Sequence, residues 1–218
     1  MNLKELLRKC KECDKCRLRK TATQVVPGAG GSNAEIMFIG EAPGANEDKE
    51  GIPFCGAAGK FLDELLDSID LKREDVFITN IVKCRPPGNR DPQEDEIKAC
   101  KSWTNKIIKA VNPKIFVLLG RFAMGKFFPK FQISKVHGNA YKKWDRLFFL
   151  MYHPAVALYN GSFRDVLFDD VRRLRNLLDG DESKVILVEE EKSEIATLMK
   201  KRREEKKKKK KKQLGMKF

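Results

Sequence analysis

Long apolar runs are missing from this chain. No stretch of its 218 residues approaches the ~20 consecutive apolar residues that cross a bilayer, and Met1 to Cys10 is too charged for a secretory leader. Both absences point to a soluble intracellular protein, with no membrane among its partners. There is no internal repeat, and no glycine-rich loop of the Walker or dinucleotide kind follows the first strand-like run, so nothing marks a nucleotide cofactor. Histidine is scarce, with only His137 and His153, and glutamine occurs four times among many lysines and glutamates, a composition that leans towards hyperthermophiles. What remains, with 41% hydrophobic residues, suffices for one domain with a real core and an appendage.

Charge marks the appendage. The formal net charge is +14, and residues 200–218 hold 12 Lys or Arg against two Glu, a net +10 that leaves +4 for everything before. Periodicity also weakens after about Gly180. Lys184 to Val188 reads as a short edge strand and Glu189 to Glu205 as a charged helix at best, while the seven lysines from Lys206 to Lys212 repel one another into an extended or disordered tract. The expected division is a folded domain over 1–180 and a lysine-rich tail over 181–218.

Within the first part, Glu35 to Ile39, Asp75 to Thr79, Lys114 to Leu119 and Arg146 to Met151 are short β-branched or aromatic runs bounded by turn residues, as buried strands are. Helical patterns separate them. Gly59 to Ile69 places Phe61, Leu62, Leu65, Leu66 and Ile69 on one face; Asp91 to Val111 opens with an Asp N-cap and a proline; Arg121 to Phe128 and Phe163 to Leu178 follow. This alternation predicts an α/β protein of three layers, α/β/α, around a central four-stranded, mainly parallel sheet. Ligands of such sheets bind beyond the carboxyl ends of the strands. Here those ends carry Gly40-Glu41-Ala42-Pro43-Gly44, Asn80, Gly120-Arg121 and Tyr152-His153-Pro154.

Cys13 with Cys16 and Cys84 with Cys100 form two separated pairs, C-x2-C and C-x15-C. In a reducing compartment a disulfide explains them poorly, and a metal centre explains them well. The spacing suits tetrahedral zinc and an iron-sulfur cluster equally. Cys10, three residues before Cys13, is an alternative N-terminal ligand, and Cys55 stands apart.

Taken together, Gly40-Glu41-Ala42-Pro43-Gly44, Gly51-Ile52-Pro53-Phe54-Cys55-Gly56, Thr79-Asn80, Cys84-Arg85-Pro86-Pro87-Gly88-Asn89-Arg90 and His153-Pro154 resemble the iron-sulfur, family 4 type of uracil-DNA glycosylases over roughly Cys13 to Leu178. The resemblance implies an α/β/α domain, a [4Fe-4S] cluster held by Cys13, Cys16, Cys84 and Cys100, and base excision repair: hydrolysis of the N-glycosidic bond of uracil in single- or double-stranded DNA, leaving an abasic site. It also implies a cytoplasmic, nucleoid-associated monomer.

The same resemblance distributes roles around a base swung out of the DNA stack. Phe54 is its stacking wall, Gly40 is a further uracil-binding position, and Glu47, on the loop between Gly44 and Gly51, is the block against the thymine methyl. The Asn80 amide has both a donor for uracil O4 and an acceptor for N3–H, and rejects a base that leaves them unpaired. His153 meets the negative charge developing on the departing base, and Glu41 sits beside the sugar, stabilising its cation or orienting water. Val156 or Leu158 is the candidate wedge for the vacated gap, and Arg85, Arg90, Lys83 and Lys60 are candidate phosphate contacts. His137 is expected to be a loop bystander. Gln213-Leu214-Gly215-Met216-Lys217-Phe218 looks faintly like a sliding-clamp-binding box that lacks its second aromatic position. Two further readings stand beside this one: a non-catalytic nucleic-acid-binding module with a structural zinc, and a glycosylase for another deaminated base.

Overall fold

The computed structural model describes residues 2–188. The lysine tract and the clamp-like segment, with the expected helix over 189–205, lie outside the described residues. Among the described residues there are seven strands, β1 (Ala29–Gly30), β2 (Ile36–Gly40), β3 (Val76–Asn80), β4 (Ile115–Leu119), β5 (Asn139–Lys143), β6 (Arg146–Met151) and β7 (Ile186–Leu187). The helices are α1 (Leu3–Lys11), α2 (Leu18–Thr21), α3 (Ala45–Glu50), α4 (Ala57–Asp67), α5 (Glu94–Val111), α6 (Gly120–Phe127), α7 (Ile133–Val136), α8 (Val156–Tyr159) and α9 (Phe163–Leu178). A short 3-10 turn covers Pro87–Asn89.

The strands form one sheet in the order β1-β3-β2-β4-β6-β5-β7. Its centre, β3-β2-β4-β6, is the expected parallel four, and their residues run in near-continuous apolar stretches because both faces are covered. Alternation still sorts them. Met37, Ile39, Phe116, Leu118, Phe148 and Leu150 face one core with residues of α1, α5 and α6, while Phe38, Val117, Leu119 and Phe149 face the other with residues of α4 and α9. The three layers follow directly.

Three further strands extend the expected central four, and where the sequence hides them the reason is local. β5 pairs antiparallel with β6 through a two-residue turn, Trp144-Asp145, with φ of +53° and +66°. Such turns ordinarily announce themselves as Asn-Gly or Asp-Gly. Lys143 further disguises the strand: it is buried, with its Nζ donating to the Phe127 carbonyl and lying over the Trp144 ring. β7 adds parallel to β5 inside the expected Lys184 to Val188 edge strand. β1 is only two residues, antiparallel to β3; a β-carbon on Gly30 would lie 1.9 Å from the Val76 carbonyl oxygen, so only glycine fits that approach.

α5 begins three residues later than its Asp-Pro signal. Glu96 accepts a hydrogen bond from the Gln93 backbone N–H at 2.8 Å, which makes Gln93 the cap, while Asp91 turns away to pair with Arg121. Among the described residues, no helix is long and apolar enough to cross a membrane.

Candidate active site

The four central strands end at one rim, and a cleft of about 1230 Å³, counted out to its open mouth, lies there. Phe54, Asn80 and His153, from three distant segments, line it together with Glu41 and Glu47. Gly40 and Asn80 are paired in register at the ends of β2 and β3. Space at this point is so limited that a β-carbon on Gly40 would lie 2.4 Å from Asn80 Oδ1 and 2.6 Å from Phe54 Cζ. Glycine there lets the amide and the aromatic ring close on one another.

Phe54 is 4% exposed and has φ +53°, the left-handed region that a bulky residue seldom adopts. Arg73 holds it there. Its guanidinium donates to the Pro53 carbonyl at 3.0 Å and to the Phe54 carbonyl, and is itself fixed by Asp63 at 2.5 Å. Gly59 leaves the room, since a β-carbon there would sit 1.8 Å from the Phe54 oxygen. The Phe54 ring stacks against His153 with centroids 5.4 Å apart and planes 28° apart.

Asn80 is buried, and its Oδ1 has no hydrogen-bond partner among the described residues. An unpartnered buried carbonyl is costly, and a ligand N–H relieves that cost. His153 is half-buried; desolvation lowers its imidazole to about 4, against a smaller opposing pull from Glu47. Its Nδ1 accepts from the Ala155 backbone N–H at 3.2 Å, so the neutral ring carries its proton on Nε2. Glu41 is raised from 4.5 to about 7, mainly by desolvation and then by Asp91, with Arg121 opposing.

Glu47 is not on a loop. It lies in the first turn of α3, buried, with Oε2 accepting from Gly44 N at 3.0 Å and Oε1 from Gly56 N at 2.8 Å. One carboxylate thereby joins the two glycine-bearing loops that frame the cleft.

The outlying candidates fare differently. Val156 lines the cleft; Leu158, half exposed on α8, is not part of its lining, and Tyr159 next to it is, at 92% exposure. Lys83 is buried and unavailable to phosphate, a correction. Arg90 lines the cleft but is engaged by the fully buried Glu96, at 2.7 and 2.9 Å, and Arg85 donates to Asn89 at 2.7 Å. Lys60 is exposed on α4. His137 is no bystander: its Nδ1 lies 3.0 Å from the buried Asp170 carboxylate, tying the start of β5 to α9. Arg121 was marked only by its place at a strand end, and Arg73 and Tyr159 carry no signal in the sequence beyond their residue types.

Cys13, Cys16, Cys84 and Cys100 line a second, smaller cavity of about 320 Å³. Cys10 is fully buried in the adjoining core and does not line it, and Cys55 lies elsewhere, half-buried. No disulfide joins any of the six cysteines, and among the described residues no three Cys, His, Asp or Glu side chains converge as one metal ion requires. Four soft sulfur donors spread round a cavity suit a polynuclear cluster better than a single zinc, whose ligands crowd to ~2.3 Å from one point.

A profile of the uracil DNA glycosylase superfamily matches residues 27–174. The chain is similar to a protein of Sulfurisphaera tokodaii named type-4 uracil-DNA glycosylase, 50% identical over 76% of this chain and 80% of that one. Proteins of the same name from Saccharolobus solfataricus and Archaeoglobus fulgidus are 49% and 44% identical, each over 81% of this chain and over 87% and 93% of their own lengths.

Proposed function

The chain belongs to the type-4 uracil-DNA glycosylases of the uracil DNA glycosylase superfamily, and from that premise we propose how its cleft excises uracil from DNA, leaving an abasic site. The observation that carries the reading is the meeting of Phe54, Asn80 and His153 in one cleft with the Asn80 carbonyl oxygen unpartnered. A uracil everted from the stack lies against the Phe54 ring, gives its N3–H to Asn80 Oδ1 and receives the Asn80 N–H at O4. Cytosine has no N3 proton to give, and leaves that buried oxygen unpaired. Glu47, locked by two backbone N–H groups, is a wall that cannot swing aside for the methyl of thymine.

Cleavage puts negative charge on the leaving base and positive charge on the sugar. His153 answers the first: its Nε2–H donates to uracil O2 from a neutral ring, needing no proton transfer to do so. Glu41 answers the second, and in its ionised form also orients the attacking water. Cys13, Cys16, Cys84 and Cys100 hold a [4Fe-4S] cluster, which braces the segment following Asn80 and supplies no step of the hydrolysis.

The deciding experiment is incubation with a single-stranded oligonucleotide carrying one deoxyuridine, followed by alkali. A strand break at the uracil position, absent from a thymidine control, is expected; an uncut strand overturns the reading. Iron and sulfide analysis of the purified protein tests the cluster: a brown protein bearing both is expected, and a colourless, zinc-bearing one refutes the reading.

A further inference from the structure

Lys83 is 1% exposed, and its ammonium plays no part in the steps above. Its Nζ donates to the Thr79 hydroxyl at 2.9 Å and to the Asn80 carbonyl oxygen. Both acceptors are neutral, and no carboxylate pairs with it among the described residues. A lysine ammonium removed from water requires an opposite charge close by. The same residue lines the cavity walled by the four cysteines, and Cys84 follows it directly in the chain. The four cysteines of that cavity, held as thiolates by a cluster, would supply such a charge.

The other end of the contact lies in base recognition. Asn80 is the residue whose side chain closes on Phe54 and whose carbonyl Lys83 grips. Thr79, the second acceptor, donates its hydroxyl to the Pro27 carbonyl at 2.7 Å, and the Lys83 carbonyl accepts from Val26 N at 2.7 Å. The lysine is thus pinned through its backbone and its ammonium at once, between two cavities that share no lining residue.

We propose that Lys83 is a positioning residue: the internal counter-cation of the cysteine-held cluster, whose ammonium couples the charge of that centre to the placement of the Asn80 amide that reads uracil. The proposal rests on the cluster reading above. A [4Fe-4S] core with four thiolates is net anionic, and one-electron reduction adds to that charge, so a buried cation beside it favours the reduced form. Removing the cation makes the midpoint potential more negative. A merely structural lysine does not move that quantity.

The test is Lys83→Met, which keeps the buried stem and deletes the charge. Expected are a full complement of iron and sulfide and a reduction equilibrium at least ~tenfold less favourable, ~59 mV for one electron. Weaker binding of an oligonucleotide carrying a non-cleavable deoxyuridine analogue should accompany them. An iron-loaded variant at the wild-type potential, or one whose shifted potential leaves uracil affinity untouched, overturns the proposal. Should the methionine variant hold no iron, Lys83→Arg decides. Iron retained near the wild-type potential supports a role for the charge, and iron lost from both variants overturns it. Iron and sulfide analysis of the wild-type chain separates the two failures: without iron the cluster reading falls and this proposal with it, whereas iron with an unmoved potential sinks this proposal alone.

Discussion

The side-chain oxygen of Asn80 lies 2.4 Å from the point where a β-carbon on Gly40 would sit, across two adjacent parallel strands. Backbone geometry thus bears on base recognition without any side chain at position 40. Gly40→Ala drives the new methyl into both the amide and the Phe54 ring, and one of them must shift. A displacement of about 1 Å in a positioning group costs ~10²-fold. We expect kcat/KM on a single-uracil oligonucleotide to fall by about that factor while the far-UV circular dichroism spectrum stays that of the wild type; an alanine variant of full activity contradicts the crowding.

Glu41, raised to about 7, makes the pH profile informative. In the proposed mechanism it is the ionised carboxylate that stabilises the sugar cation, so kcat/KM of the wild type should climb as pH rises through about 7, and Glu41→Gln should abolish that limb. The stability sign is the reverse. The folded state keeps a proton on Glu41 between its ordinary 4.5 and about 7, so this group's contribution is present below 4.5 and fades as pH rises through about 7. A profile flat through that window in the wild type would rule the carboxylate out of the reaction.

His153, lowered to about 4, should leave no inflection near pH 6.5 in the same profile, because its ring is already neutral there and donates from Nε2. His153→Ala removes the donor to the leaving base, and the loss of one such donor lowers kcat by ~10²–10³-fold. Its effect on stability runs with acid: the unfolded imidazole takes up its proton near 6.5 and the folded one only near 4, so wild-type stability drops across that interval as pH falls, and the alanine variant should lack this dependence. Urea titrations of both proteins at several pH values make the comparison.

The parallel strands were legible because both of their faces are buried, which writes them as continuous apolar runs. Their carboxyl ends can therefore be aligned from the sequence, and Glu41, Asn80 and His153 fall at those ends. Phe54 depended on family resemblance, since its position hangs on Arg73 reaching back 19 residues to the Phe54 carbonyl, a contact with no local pattern. β5 was hidden by a buried lysine and a Trp-Asp turn. His137 looked idle because its partner, Asp170, is 33 residues away on α9. Glu47 sat on an expected loop because Gly44 and Gly51 bracket only six residues, and a helix that short gives no periodicity.

Glu96 holds the cysteine framework from the opposite side. Fully buried, it accepts from Arg17 at 2.9 Å and from Arg90 at 2.7 Å; the Arg90 hydrogen bonds are the chief reason its carboxyl falls to about 2. Arg17 follows Cys16, and Glu96 stands one turn before Cys100, so the triad fastens the N-terminal pair of thiols to α5. Glu96→Gln leaves two arginines facing a neutral amide. Both arginines are partly solvated, which moderates the loss to ~1–3 kcal/mol at neutral pH. The wild type should surrender this advantage as pH falls from 4.5 towards 2, the interval over which the folded carboxylate takes up its proton, and a gap that persists to the lowest pH would point to packing instead.

Tyr159 is the large aromatic side chain most exposed among the described residues, and it stands on the cleft lining one residue beyond Leu158. An exposed ring at the mouth of a site that everts a base has a natural partner in the bases left behind. Stacking on a base contributes ~1–3 kcal/mol, or roughly 5- to 150-fold. In a duplex the vacated position offers two flanking faces and an unpaired partner; a flexible single strand offers no such gap to hold open. Tyr159→Ala should therefore lower kcat/KM on duplex substrates ~10-fold or more and on single-stranded ones by a much smaller factor. Tyr159→Phe should behave as the wild type, because the ring and not the hydroxyl makes the contact, and Leu158→Ala should lose little. Equal losses on both substrates would mean that Tyr159 supports the pocket wall rather than the gap, and a duplex-selective loss in Leu158→Ala alone would return the wedge to the leucine.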